Sequence, residues 1–224
     1  MIENREMRER INAAHIKNGV RMIDPSTAYI DDTVEIDAGV LIYPNVILEG
    51  SCKISADAIV GANCHLKNTI VGERAHIRQS EAIDAEIGAD TQVGPFAYLR
   101  PNARIGEKCK IGSFVEVKNS NINDGTSVAH LAYVGDADVG RKVNVGCGVI
   151  TANYDGKSKH RTIIEDHVFV GSNSNLIAPV RLGEGAYVAA GSTITDDLPS
   201  CALGIARARQ VQKLDWRKKL DGDR

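Results

Sequence analysis

An aliphatic residue returns at every sixth position along most of this chain. One run is Ile30, Ile36, Ile42, Leu48, Ile54, Val60 and Leu66; a second is Leu99, Ile105, Ile111 and Val117; a third is Ile164, Val170, Leu176, Leu182, Val188 and Ile194. A six-residue period belongs to the parallel β-helix, in which each repeat supplies one short strand and a turn. No isolated hexapeptide can bury its aliphatic side chain, whereas stacked coils bury a continuous column of them. The period therefore predicts an all-β solenoid and dictates which distant residues can touch. The few aromatics, three Phe, one Trp and six Tyr among 224 residues, suit a narrow shaft filled by aliphatics. Many of the 21 glycines follow the buried aliphatic, as in Ile87-Gly88, Val93-Gly94, Ile105-Gly106 and Ile111-Gly112. They are expected at tight corners, where glycine reaches backbone angles that other residues avoid.

The period runs from about Tyr29 to Thr195 and divides the chain into three parts. Residues 1–25 read as a helical linker, because positions 3–17 are rich in helix formers and lack Gly and Pro. Asn18-Gly19 is the expected stop, and Asp24-Pro25 a boundary, since the residue before proline avoids helix. Residues 26–198 form the β-helix, about nine coils at three hexads per coil. Residues 199–224 form a basic C-terminal arm containing Arg207, Arg209, Lys213, Arg217, Lys218 and Lys219. Helix and arm are expected to cap the open ends of the prism. The period breaks once, at Ala152–Thr162, and a polar loop thrown out of a regular solenoid is a natural place for function.

The net charge of −2 excludes a broad nucleic-acid footprint. No stretch reaches the length of a membrane helix, and the N-terminus has no apolar signal core. A cytoplasmic protein is expected, with Cys52, Cys64, Cys109, Cys147 and Cys201 as free thiols.

Hexads beginning at Leu99, Ile105 and Ile111 define three faces, A, B and C. Residues at one hexad position on successive coils stack about 4.8 Å apart. Arg100 and Lys118 each follow the buried aliphatic of face A, one coil apart. Stacked like charges repel, so either an anion such as phosphate sits with them or the two cations reach apart into solvent. A second column lies two residues after the aliphatic of face C: Ser113, His130, Cys147, Ser172 and Ala190. One histidine among small side chains describes either a shallow track for an extended ligand or an ordinary small-residue corner. Four rungs span roughly 15 Å, about the reach of a pantetheine arm. His65, His76, His160 and His167 converge on no common point, so no metal site is expected.

Long segments carry a more specific likeness. Gly-Pro-Phe-Ala-Tyr-Leu-Arg-Pro (94–101), Ile-Gly-Ser-Phe-Val-Glu-Val-Lys (111–118), Ala-His-Leu-Ala-Tyr-Val-Gly-Asp-Ala (129–137), Val-Asn-Val-Gly (143–146), Asn-Tyr-Asp-Gly-Lys-Ser-Lys (153–159) and Ala-Arg-Ala-Arg-Gln (206–210) occur in order. With the N-terminal helix, they resemble the acetyltransferase domain of the bacterial bifunctional N-acetylglucosamine-1-phosphate uridyltransferase/glucosamine-1-phosphate acetyltransferase family. The resemblance implies a left-handed parallel β-helix, an exception to the right-handed crossover rule, in a homotrimer with active sites shared between subunits. It implies acetyl transfer from acetyl-CoA, a co-substrate and not a resident cofactor, to the amine of glucosamine 1-phosphate. The product would feed UDP-N-acetylglucosamine and cell-envelope synthesis.

Carried over by motif, His130 is the general base and Glu116 its orienting partner. Arg100, Lys118, Tyr133, Asn144 and Lys159 would hold the sugar phosphate. Cys147, Asn153, Tyr154, Ser172, Ala190 and Arg207 would contact acetyl-CoA. The chemistry fits: an amine must lose a proton to acylate, and a histidine, ordinarily near pKa 6.5, can take one at neutral pH. Cys147 stands where that family usually has alanine, and Val149 where it often has threonine. The segment typical of uridylyl transfer is not among these residues, so that step is expected either of a separate uridyltransferase chain or of another part of a longer protein. Two other readings stay open, a hexapeptide acyltransferase for a different amino sugar and a non-catalytic β-helix scaffold. The cations Arg100, Lys118 and Lys159 discriminate, since a phosphate-free acceptor has no need of them. Trimerisation is expected also because the flat lateral sheets need covering, and because two prisms would bring the remote tail cation Arg207 to the site.

Overall fold

The structure is a computed structural model and describes residues 4–222. Residues 1–3 and 223–224, the outermost ends of the expected linker and arm, lie outside the described residues. The chain winds into a left-handed, three-sided parallel β-helix. Face C is an eleven-stranded sheet, face A ten-stranded and face B nine-stranded. Most strands are two or three residues long, and each pairs in parallel with the strand one coil away. The ladder extends past Tyr29 and Thr195 at both ends, from Arg21–Met22 to Leu203–Gly204 on face C.

The six-residue period fills the shaft. Ile30, Ile42, Leu48, Ile54, Leu66, Leu99, Ile111, Leu176 and Leu182 are all fully buried. Each such burial is worth roughly 1.5–3 kcal/mol, part of what offsets the ordering of a short strand and its turn.

The glycines act differently from the expectation. The corner residues with positive φ are mostly not glycine: Asn102 (62°), Lys108 (54°), Phe114 (58°), Asn119 (45°), Leu131 (44°) and Asp136 (48°). Of Gly88, Gly94, Gly106 and Gly112, only Gly94 has positive φ. The others are required by close approach between coils: a β-carbon on Gly88 would sit 2.5 Å from the carbonyl carbon of Gly106.

At the N-terminal end, α1 (Arg5–Lys17) is capped by Asn4, whose side chain accepts from the Glu6 N–H, and stops at Asn18 and Gly19 (φ 94°). It closes the prism as expected. Ile11 joins the shaft, and Asn12 Nδ2 donates to the carbonyls of Pro25 (2.8 Å) and Ala28 (3.0 Å). At the other end only the start of the arm joins the prism, through Leu203–Gly204 on face C. Beyond Gly204 every described side chain is exposed, including Val211, Leu214 and Trp216.

Candidate active site

Face A and its two edges carry most of the predicted residues. At the edge shared with face B lie Arg100 and Lys118, the residues after Leu99 and Val117, which are themselves paired. At the edge shared with face C lies His130, last residue of the strand Ser127–His130 and register partner of Ser113. Glu116 and Tyr133 lie between, paired on face A. The edges are five residue steps apart, from Leu131 to Asp136, about 16 Å of extended chain.

The two stacked cations meet different neighbours. Arg100 Nη1 donates to Glu116 Oε1 at 2.7 Å. Glu116 is thereby engaged at the cationic edge, and no hydrogen bond joins it to the His130 ring among the described residues. Lys118 instead meets Lys159. Contact with that second ammonium group, then burial, holds Lys118 below the ordinary lysine range, with Asp136 opposing the shift and Arg100 adding to it. Tyr133 folds back over Gly135, where a β-carbon would strike its hydroxyl oxygen and ring. Gly135, the register partner of Lys118, leaves room for that ring.

Lys159 reaches the edge through the loop that breaks the period. Asp155 Oδ1 accepts from the Lys157 and Ser158 N–H groups, both at 2.7 Å, and Oδ2 pairs with His160 Nε2 at 2.7 Å. Those bonds, the Ser158 N–H first and His160 next, hold the Asp155 carboxyl well below the usual range. Tyr154 and Lys159 form an antiparallel bridge across the loop. Arg161 anchors its return through Asp138 (2.6 and 2.8 Å) and the Ala137 carbonyl (3.1 Å). The loop is thus a braced hairpin. Asp155→Ala is expected to weaken binding of a phosphate held by Lys159 about fivefold, for loss of about 1 kcal/mol of loop hydrogen bonding. Calorimetric titration with the sugar phosphate checks this.

The loop leaves the solenoid without opening it. Thr151 takes the buried position of face A, its Oγ1 accepting from Gly135 N–H (2.8 Å) and donating to Gly135 O (2.9 Å). A hydroxyl here replaces a ladder bond. Two residues further, Asn153 is 8% exposed and donates from Nδ2 to Asp136 Oδ2. Asn119 donates to the other oxygen of the same carboxylate. Counting Thr151 as a rung aligns Asn119, Asp136 and Asn153 two residues after Val117, Val134 and Thr151, and this column escaped the aliphatic period.

The small-residue column of face C is present. Leu131 N–H donates to Ser113 O (2.9 Å), Asn173 N–H to Cys147 O (2.7 Å) and Gly191 N–H to Ser172 O (2.8 Å). Gly146 and Gly171 let successive coils approach: a β-carbon would lie 2.7 Å from Ser172 N or 2.5 Å from Ala190 N, respectively. Cys147 is half-buried, while Ser172 and Ala190 are exposed. Arg207 is not remote, because Ala206 is laid along Ser192 and Thr193 (3.2 and 3.0 Å), bringing the Arg207 side chain beside Gly191. Asn144 stands on face C beside Ser127. Asn153 and Tyr154 lie instead at the A/B edge, a face away from Cys147, Ser172, Ala190 and Arg207.

Fold and repeat define the class: a hexapeptide-repeat β-helix protein, with residues 84–119 and 161–196 matching the bacterial transferase hexapeptide (six repeats) family. More specifically, the chain is similar to bacterial proteins named bifunctional protein GlmU over part of their length. It is 53% identical to that protein from Geobacillus sp. (strain WCH70) over 96% of its own length and 47% of the relative's. It is 50% identical to that of Brevibacillus brevis, over 96% and 46%. The chain thus spans about half the length of the curated relatives it matches. Among solved structures, Francisella novicida UDP-N-acetylglucosamine acyltransferase superposes with TM-score 0.57 at 17% identity, over 80% of this chain and 64% of that one, a likeness of fold.

Proposed function

We propose that this chain transfers the acetyl group of acetyl-CoA to the amine of glucosamine 1-phosphate. The observation that carries the reading is the polarity of face A, with a cationic edge of Arg100, Lys118 and Lys159 opposite an edge bearing His130. A sugar bound between the edges carries its phosphate on C1 and its amine on the neighbouring C2, so the long cationic side chains would reach inward over the face to the phosphate, which their guanidinium and ammonium groups suit. Its amine would then reach toward the histidine. Likeness to GlmU over 96% of the chain supports the same reading.

In the step itself the amine nitrogen forms a bond to the thioester carbonyl carbon, and His130 takes the proton that the nitrogen sheds. The carbon–sulfur bond breaks, and coenzyme A leaves as the thiol after regaining a proton. Ser172 and Cys147 lie in line for the thioester arm, with Arg207 at the head of the column. Asn153 and Tyr154 belong to the same ligand only if a second prism lies alongside, so that one subunit's C/A edge faces its neighbour's A/B edge. That requirement supports a homotrimer with shared sites. A cytoplasmic role in envelope-precursor synthesis follows from the substrate proposed.

Acetyl-CoA-dependent thiol release is the test. Release with glucosamine 1-phosphate and not with glucosamine is expected. Equal release with both would favour another amino-sugar acceptor, and none with any amine a scaffold. Sedimentation shows the assembly, and full activity in a dilute monomer contradicts a shared site. The sign of one pH effect is fixed: the phosphate-binding form of Lys118 is protonated, and its proton leaves below the ordinary lysine pKa of 10.5. KM for the sugar phosphate should therefore rise on the alkaline side before that range, as initial rates across pH will show.

A further inference from the structure

Asp136 belongs to no ligand set above, yet it is 4% exposed at a corner of φ 48°. Burial of a lone carboxylate costs several kcal/mol unless partners compensate. Burial alone would raise its pKa, but the amides of Asn119 and Asn153, with Lys118 and Lys159 nearby, outweigh that and keep it below the usual carboxylate range. Its backbone is committed too: its N–H donates to Lys118 O (3.0 Å), and its carbonyl accepts from Thr162 N–H (3.1 Å). The same edge has an Asn–Asp pair elsewhere, Asn68 to Asp84 at 2.9 Å, but in the open. A corner hydrogen bond therefore does not by itself require a buried charge. What sets Asp136 apart is the loop above it and the two lysines beside it.

We propose that Asp136 is a positioning residue for acetyl transfer. It fixes the Asn153 amide with its nitrogen turned inward, and it supplies the negative charge that holds Lys118 and Lys159 together as a phosphate clamp. The inference rests on the function proposed above. An ionised carboxylate only accepts, so both flanking amides must present Nδ2 to it. Asn153 cannot reverse without setting Oδ1 against a carboxylate oxygen. Its Oδ1 is thus kept as an acceptor for a bound group. Without the carboxylate, Lys118 faces only cations, Lys159 and Arg100.

Asp136→Asn is nearly isosteric and removes the charge; Asp136→Ser does the same with a hydroxyl acceptor should the first fold poorly. For either, KM for glucosamine 1-phosphate should rise about tenfold or more at pH 7, the scale of a lost charged hydrogen bond, and further at pH 8.5. Asn119→Ala, which strips the same carboxylate of one amide but leaves Asn153 bound, should lower thermal stability with KM unchanged. In the double variant Asp136→Asn/Asn153→Ala, the losses in turnover should fall short of additivity. A ligand-free measurement separates this inference from the function beneath it. In protein with carbon-13-labelled lysines, the Lys118 titration should move to lower pH in Asp136→Asn. If wild type is inactive with the sugar phosphate yet Lys118 moves, the functional reading fails and the charge role of Asp136 stands. An active wild type with unchanged KM and Lys118 titration in the Asp136 variants would overturn the inference. So would an Asn119→Ala variant whose KM rises as much as theirs.

Discussion

His130→Ala should lose turnover by a factor of about 10² to 10⁴, the usual contribution of a positioned general base, while KM for glucosamine 1-phosphate changes little. The two halves of this expectation come from opposite edges of face A. His130 ends the strand Ser127–His130 at the C/A edge and is exposed. Truncating an exposed ring opens no cavity, so the melting temperature should stay within the scatter of surface substitutions, about ±0.5 kcal/mol. The phosphate-binding cations lie across the face, and their geometry is set by Glu116, Asp136 and the braced loop, none of which depends on the imidazole. A drop in kcat with intact sugar affinity is the pattern of a group that acts in the transition state. Coenzyme A release under saturating substrate, with calorimetry for the sugar, gives both quantities. Near-normal turnover would remove His130 from the mechanism, and a parallel collapse of sugar binding would place it among the binding groups instead.

The solenoid was legible because the sixth position tolerates so little: Leu99, Ile111 and Leu176 fill a shaft that, among the described residues, buries no aromatic side chain and admits polar ones only as small hydroxyls and amides or at a corner. The same rule hid Thr151. A hydroxyl satisfies Gly135 where the loop interrupts the ladder, so the period skips a rung there. The Asn119–Asp136–Asn153 column goes unseen with it. Gly88 and Gly106 were visible as repeat glycines, but their cause was not, because close approach between coils and positive φ leave the same letter in the sequence. Side-chain pairing was the least legible level. Glu116 pairs with Tyr98, two residues before Arg100, and with Tyr133, three residues after His130, and only side-chain geometry shows that Arg100 holds it. Arg207 looked remote because the period ends before it. Parallel pairing at Leu203–Gly204 carries the chain back beside Gly191.

Ile111→Ala should be the most destabilising of these changes, at about 2–5 kcal/mol for a large aliphatic truncated in a closed core. Ile111 is fully buried and pairs with Val93 below and Val128 above. A prism wall made of short parallel strands cannot collapse into the cavity without shifting the coils on either side, which favours the upper part of that range. A solenoid coil contacts only its neighbours, so the loss should be local before it is global. Hydrogen exchange should show protection falling first at the coils of Val93, Ile111 and Val128, with Ile42 and Leu182 still protected. The local character has a functional consequence, because Ser113 and His130 end the two strands that Ile111 and Val128 anchor. Turnover should therefore decline at temperatures below the global melting transition. The cationic edge belongs to the same coils, since Arg100 follows Leu99 one face before Ile111 and Lys118 follows Val117 one face before Val128, so affinity for the sugar phosphate should decline with turnover. A uniform loss of protection along the whole prism, with activity and melting falling together, would show that the coils unfold as one unit and that site and shaft are not coupled rung by rung.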